Sequence, residues 1–312
     1  MTWGGAMLGS LASTLERPAW WALGLGSFLV RGGLLVFVVP IVILPTPAGL
    51  QNAFGAELVG FVFGSPSMAF LTAVIVATAG LTGWLMLGGL LAAWTDIALV
   101  AAVAGSRSIG RAVSGWSGLA WRALGIRLAS HVPLAVALSW GLARIYDAIY
   151  AEYLHPGDPA IPLALRIVER VPEVIAIIAL AWIAGEAAGG LGIRHLALGG
   201  LTAGQALVRG WFDILLQPTV VATLLITGAA LVAVALPLAG AAGGAWDRLR
   251  ALLADGADPA LLVLALVAFV ATWLAGITLV GVVAAWRSAA WTFEVARHTP
   301  ARERHAVAAG PV

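Results

Sequence analysis

The chain has 312 residues, 61% of them hydrophobic and 10% charged, with a net charge of +2 and a mean hydropathy of +0.99. Soluble domains carry about 25% charged residues, so this composition belongs to an integral membrane protein, and its arginines, set between apolar stretches, fit membrane topology rather than a nucleic-acid face. The absence of cysteine excludes disulfides, thiolate nucleophiles, iron-sulfur clusters and cysteine zinc sites, and no cofactor or metal is expected.

Six stretches are long and apolar enough to cross a hydrocarbon core, which takes roughly 20 residues: 20–44, 68–94, 132–150, 174–193, 211–238 and 261–286. The first is too long for a signal-peptide core and is expected to be retained. It carries a lone charge, Arg31, in "FLVRGGLLVF". At 1.5 Å per residue Arg31 lies roughly 16 Å along this span, too deep for easy snorkelling, so a partner is expected. Glu186, in the fourth span and roughly 12 Å from the same side, is the natural candidate. Gly32 and Gly33 are read as allowing close helix approach beside it. Asp96 and Glu294, near span ends, and Asp213, where the fifth span begins, are secondary charged candidates explained as interfacial.

The connection 45–66 mixes apolar residues with Gly and Pro, as a half-buried or re-entrant cover would. Residues 106–126 are expected to form an interfacial helix: Ile109, Val113, Trp116, Ala120 and Leu124 share one face at 100° per residue, and Arg107, Arg111 and Arg122 lie opposite, available to anionic headgroups. Beyond the third span, Tyr146, Tyr150 and Tyr153 form a helical stripe beside Arg144, Asp147, Glu152 and His155. That is the pattern of an aromatic belt, with a polar-ligand site at the outer interface as the alternative. Thr202 and Gln205 have capping-box spacing before the fifth span. The tail, 299–312, is expected to be disordered.

Arginines cluster at Arg17, at 107–127, at Arg194 and Arg209, and after the sixth span, whereas the alternate connections carry no such excess. Positively charged loops stay in the cytoplasm, so six crossings with both termini cytoplasmic are expected, in a bacterial cell membrane. The pattern also repeats. Three amphipathic stretches reach a proline (Pro18, Pro133, Pro218) and then turn apolar, and three returning helices place Trp before an acid in "LLAAWTD", "LAWIAGE" and "VVAAWRSAAWTFE". The expected architecture is therefore an all-α six-helix bundle, one transmembrane domain over 1–298, with possible hairpins at about 19–95, 128–193 and 211–287. The spacing G-x-x-x-G at 185/189, 200/204 and 240/244 suggests close packing. Pro40, Pro218 and Pro237 either loosen helices or mark their ends.

With "GGLTAGQALVRGWFDIL" leading from one hairpin to the next, the layout resembles bacterial six-span membrane proteins, including those similar to the membrane domain attached to some glycerophosphodiester phosphodiesterases. The chemistry of those relatives resides in a separate soluble domain with no counterpart here, so the resemblance implies a fold and no catalytic residue. "GWSG" at Gly115 matches the G-x-S-G of intramembrane serine proteases, but Ser117 falls on the arginine-rich segment, and His155, His195, His298 and His305 are read as lying outside the spans. No catalytic residue is assigned. Three function classes stay open: a transporter or lipid-handling permease, a non-catalytic scaffold or assembly subunit, and an intramembrane enzyme. Expected partners are membrane lipids with anionic headgroups, and a protein partner or second copy of the chain, but no nucleic acid.

Overall fold

The computed structural model describes residues 2–42, 47–105, 117–158, 161 and 163–298. Among these the regular structure is helical: α1 (Trp3–Leu15), α2 (Pro18–Phe28), a π-turn (Leu29–Gly33), α3 (Leu34–Val38), α4 (Pro47–Phe63), α5 (Met68–Val103), α6 (Ser117–Ser130), α7 (Val132–Leu154), α8 (Leu163–Arg170), α9 (Pro172–Gly199), α10 (Ala203–Leu216), α11 (Pro218–Ala254) and α12 (Pro259–His298). Six helical segments are long and apolar enough to span a membrane: Pro18–Val38, Met68–Val103, Gly118–Leu154, Pro172–Gly199, Pro218–Ala254 and Pro259–His298. The protein is a multi-pass, all-α membrane protein. Arg107 and Arg111, and the tail 299–312, fall outside the described residues.

Proline punctuates the chain where the sequence indicates. Pro18, Pro133 and Pro218 each stand in the first turn of a helical segment that follows a shorter one (α1 before Pro18–Val38, α6 before α7, α10 before α11). The ring fixes φ for the helix and omits an N–H that would have no intrahelical partner there. Thr202 and Gln205 close the expected capping box at the start of α10. Pro40 follows the end of α3, whereas Pro237 sits inside α11.

The chain divides into two compact units. The first comprises Met1–Ile43, Gly88–Ala129 and Ala187–Val312. In it α12 packs along α11 and against α2 and α1. Trp20, Leu99, Ala102, Ala285 and Ala289 form one core, and Phe37, Ala235 and Val280 another. Small residues set the α2–α12 distance: a Cβ on Gly24 would stand 2.5 Å from Ala285 N, and one on Gly281 would meet Trp21 O at 3.0 Å. A third core joins Ala93 and Ile97 of α5, Ala120, Ala123, Leu124 and Ile126 of α6, Ile193 and Leu196 of α9 and Ala206 of α10. This corrects the reading of 106–126 as a helix lying on lipid. Its described part continues to Ser130, and Ala120 and Leu124, on the face assigned to lipid, are buried in protein; Arg122 remains exposed.

The second unit comprises Leu44–Leu87 and Ser130–Glu186. Its core is Ala148, Val171 and Val174, flanked by Ile145, Ile167 and Ile178, where α7 meets α8 and the start of α9. Gly141 lets Val174 and Ile178 approach α7.

Candidate functional site

Arg31 stands where its helix changes form. The π-turn Leu29–Gly33 breaks the α-helical ladder, and Gly32 within it has φ +99°, a conformation glycine reaches without strain. A Cβ on Gly32 would meet nothing within 4 Å, and one on Gly33 would run into Phe28 of the same segment. The two glycines therefore shape the turn that presents Arg31, and they do not admit a neighbouring helix as expected.

Asp96 of α5 meets Arg31. Asp96 is 4% exposed; its Oδ2 also takes Arg127 Nη2 at 2.9 Å, and its Oδ1 accepts from Ser27 Oγ at 3.0 Å. Asp96, ranked second and interfacial from the sequence, is thus the buried hub that binds the π-turn and α6 to α5. Glu186, the partner expected for Arg31 from matched depth, is half-buried on α9 in the second unit.

Two more arginines of the first unit belong to the same electrostatic neighbourhood. Arg194 is 3% exposed, donates through Nη1 to Gly190 O at 2.6 Å and through Nη2 to Ser288 O and Oγ at 3.2 and 2.7 Å, and feels the charges of Asp96, Arg31, Arg287 and Arg127. Arg194 and Arg287 both lie over the Trp291 ring, 5.2 and 4.4 Å from its centroid, a cation–π arrangement. Arg31, Arg127, Arg194 and Arg287 of the first unit thus gather in the neighbourhood of Asp96, and arginine keeps its charge at any physiological pH. Arg127, Arg194 and Arg287 have no site role in the sequence analysis.

The remaining acids of this unit are tied locally. Asp213, 3% exposed, meets His195 Nε2 at 2.5 Å, accepts from Gln217 Nε2 at 2.7 Å and has Arg209 Nε at 3.3 Å. It is a buried joint between α9 and α10, and His195, read as outside the spans, lies within α9. Glu294, 2% exposed, takes Thr219 Oγ1 and Arg297 Nη2, each at 2.7 Å. Its Oε2 has no hydrogen-bond partner among the described residues.

The outer-interface candidates lie in the second unit. Tyr146 meets Phe61, and Tyr150 and Tyr153 meet Phe63, at ring separations of 6.0–6.5 Å, so the stripe is partly an aromatic seam with α4. Arg144 sits 3.5 Å from Glu173, both about half exposed, and Asp147 is exposed. The buried charge here is Glu152, beside the stripe. Its carboxylate accepts from Gly157 N at 2.7 Å and Arg170 Nε at 2.8 Å, and lies 3.1 Å from Arg166 Nε. Glu152 thereby holds α8 against the end of α7.

The candidate site is therefore the arginine centre on Asp96. Set against known protein families, characterised proteins and solved structures, the chain matches none.

Proposed function

We propose that this protein is a lipid-handling or permease-like membrane protein that takes an anionic group at the Arg31, Asp96, Arg127, Arg194 and Arg287 centre, with both termini on the cytoplasmic side of a bacterial cell membrane. The observation that carries the reading is the gathering of Arg31, Arg127, Arg194 and Arg287 around Asp96 in one unit. Arginines retained in spanning helices mark ligand and ion pathways. The layout resemblance to six-span proteins fits this class and supplies no chemistry. Native mass spectrometry of the purified chain tests the reading: a co-purifying anionic molecule, lost in Arg31→Gln and Arg127→Gln, is expected, and release of an anion-free wild-type chain refutes it.

A second reading, a non-catalytic scaffold, is supported by Arg194, whose guanidinium is taken up by Gly190 and Ser288 in the manner of a structural joint. It expects a protein partner or a second copy of the chain in the same spectra, with no small anion.

A further inference from the structure

Three short helices, α1, α6 and α10, carry large apolar side chains on the side turned away from the protein. On α1 Ala6, Ser10 and Thr14 are buried, and Leu8 and Leu15 are more than half exposed. On α10 Ala206, Gly210 and Asp213 are buried, whereas Phe212 and Leu215 are more than half exposed. α6 does the same: opposite the face that holds Ala120 and Leu124 in protein, Trp121 is 66% exposed and Leu128 43%. A helix bordering water turns charged and polar residues outward. We propose that α1, α6 and α10 form a collar seated in the lipid headgroup layer at one face of the membrane, with Arg17, Arg122 and Arg209 turned to anionic headgroups. The collar is separate from the anion-binding reading above, since none of these residues belongs to that centre.

Position along the chain names lipid as the occupant. Each short helix stops just before the proline that opens a crossing, Pro18, Pro133 or Pro218. Between the two, Arg17, His131 and Gln217 have φ/ψ of −129°/80°, −94°/6° and −118°/98°, outside the α-helical range, so the short helix is a rod of its own rather than more of the crossing. The crossings that follow are the first, third and fifth of six. Odd crossings of one chain start at the same membrane face, which puts all three short helices at that face and at its boundary. The outward side of α10 leads directly into α11, where Leu225 is 64% exposed on a helix long and apolar enough to span the membrane, so the two surfaces border one medium. A lipid leaflet covers three such faces at once, each at the start of a crossing; a single partner protein would need only one. Charge agrees with this. Arg122 and Arg209 are exposed on their helices and Arg17 at its turn, where the exposed Glu16 offsets it in part. Helices with an apolar side and arginine beside it lie about 5–10 Å into the boundary between headgroups and acyl chains, and arginine is long enough to keep its charge at headgroup level while its stem lies on apolar surface.

The sequence contains no cysteine, so a single introduced cysteine can carry a spin label with no other change. Leu8→Cys, Trp121→Cys and Leu215→Cys are labelled one at a time in the full chain in phosphatidylcholine nanodiscs. Leu225→Cys on α11 serves as the hydrocarbon reference and Asp255→Cys, in the turn after α11, as the water reference. Collisions with oxygen, which dissolves in lipid, are compared with collisions with a water-soluble nickel chelate. The oxygen-to-nickel ratio at all three outward sites should exceed that at Asp255 by at least about 3-fold, as immersion at the boundary requires. A ratio equal to that at Asp255 at any of the three overturns the collar. Shielding from both reagents overturns it as well, being the mark of a protein partner or a second copy of the chain. Should a labelled variant fail to fold, Leu15, Leu128 or Phe212 on the same helix takes its place. The arginines are read separately. Replacing half of the phosphatidylcholine by phosphatidylglycerol should raise the unfolding temperature, and this rise should shrink by at least about half in the triple variant Arg17→Gln, Arg122→Gln, Arg209→Gln. No rise in the wild type, or an undiminished rise in the variant, refutes the role given to the arginines.

Discussion

Asp213 accepts contacts from His195, Gln217 and Arg209 while only 3% exposed, and Arg144 with Glu173 is its opposite, a pair open to solvent on both sides. Removing a buried acceptor strands its donors, at about 1–3 kcal/mol, whereas an exposed pair contributes about 0–1 kcal/mol. Asp213→Ala should therefore lower unfolding stability in mixed micelles by about 1–3 kcal/mol, and Arg144→Ala by under about 1 kcal/mol. Equal losses in a denaturant titration would contradict this ranking. The sequence shows the acids but not their partners. His195 and Asp213 are brought together by the turn at Gly200, with φ +60°, and depth along a span places a charge on an axis without saying which helix it faces. For the same reason depth alone does not show that Arg31 meets Asp96.

Glycine has opposite uses in different helices, and spacing alone does not separate them. Gly24 faces the Ala285 backbone and Gly210 the Ala188 carbonyl, each at 2.5 Å from an added Cβ, whereas Gly80, Gly240 and Gly244 face open space. Of the three expected G-x-x-x-G pairs, Gly185 packs against Ser130, but Gly204, Gly240 and Gly244 pack against nothing within 4 Å, and Gly200 serves a turn. Gly24→Ala should separate α2 from α12 and cost about 1–3 kcal/mol, as overpacking does. Gly80→Ala, in the exposed middle of α5, should be neutral or stabilise by up to about 1 kcal/mol through helix propensity. Thermal unfolding of the two variants checks the difference in sign. The elements themselves are well marked in the sequence, because proline, capping-box and hydropathy signals act locally. The described part of 106–126 was misjudged since an apolar face turned to protein has the same period as one turned to lipid.

At the scale of the molecule, α5, α11 and α12 run for 36, 37 and 40 residues, roughly 54–60 Å at 1.5 Å per residue and about twice a hydrocarbon core. The excess length gathers with α1, α6 and α10 in the first unit, where indole N–H groups fasten the short α1: Trp3 donates to Thr223 Oγ1, Trp21 to Thr14 O and Trp286 to Ser10 Oγ. The exposed run of α12, which ends near Val280, then acts as a ruler whose upper mark lies just before Arg287. Hydrophobic mismatch costs fractions of a kcal/mol per Å, enough to sort proteins among membranes. In a series of phosphatidylcholine nanodiscs of increasing acyl length, unfolding temperature should peak where the core is about 30 Å thick and fall on both sides; a monotonic trend would show that the exposed runs do not set the fit. A thicker bilayer would draw lipid phosphates away from Arg31 and a thinner one would carry them past it. Acyl-chain length would thus tune the setting of buried charges that no acyl chain touches.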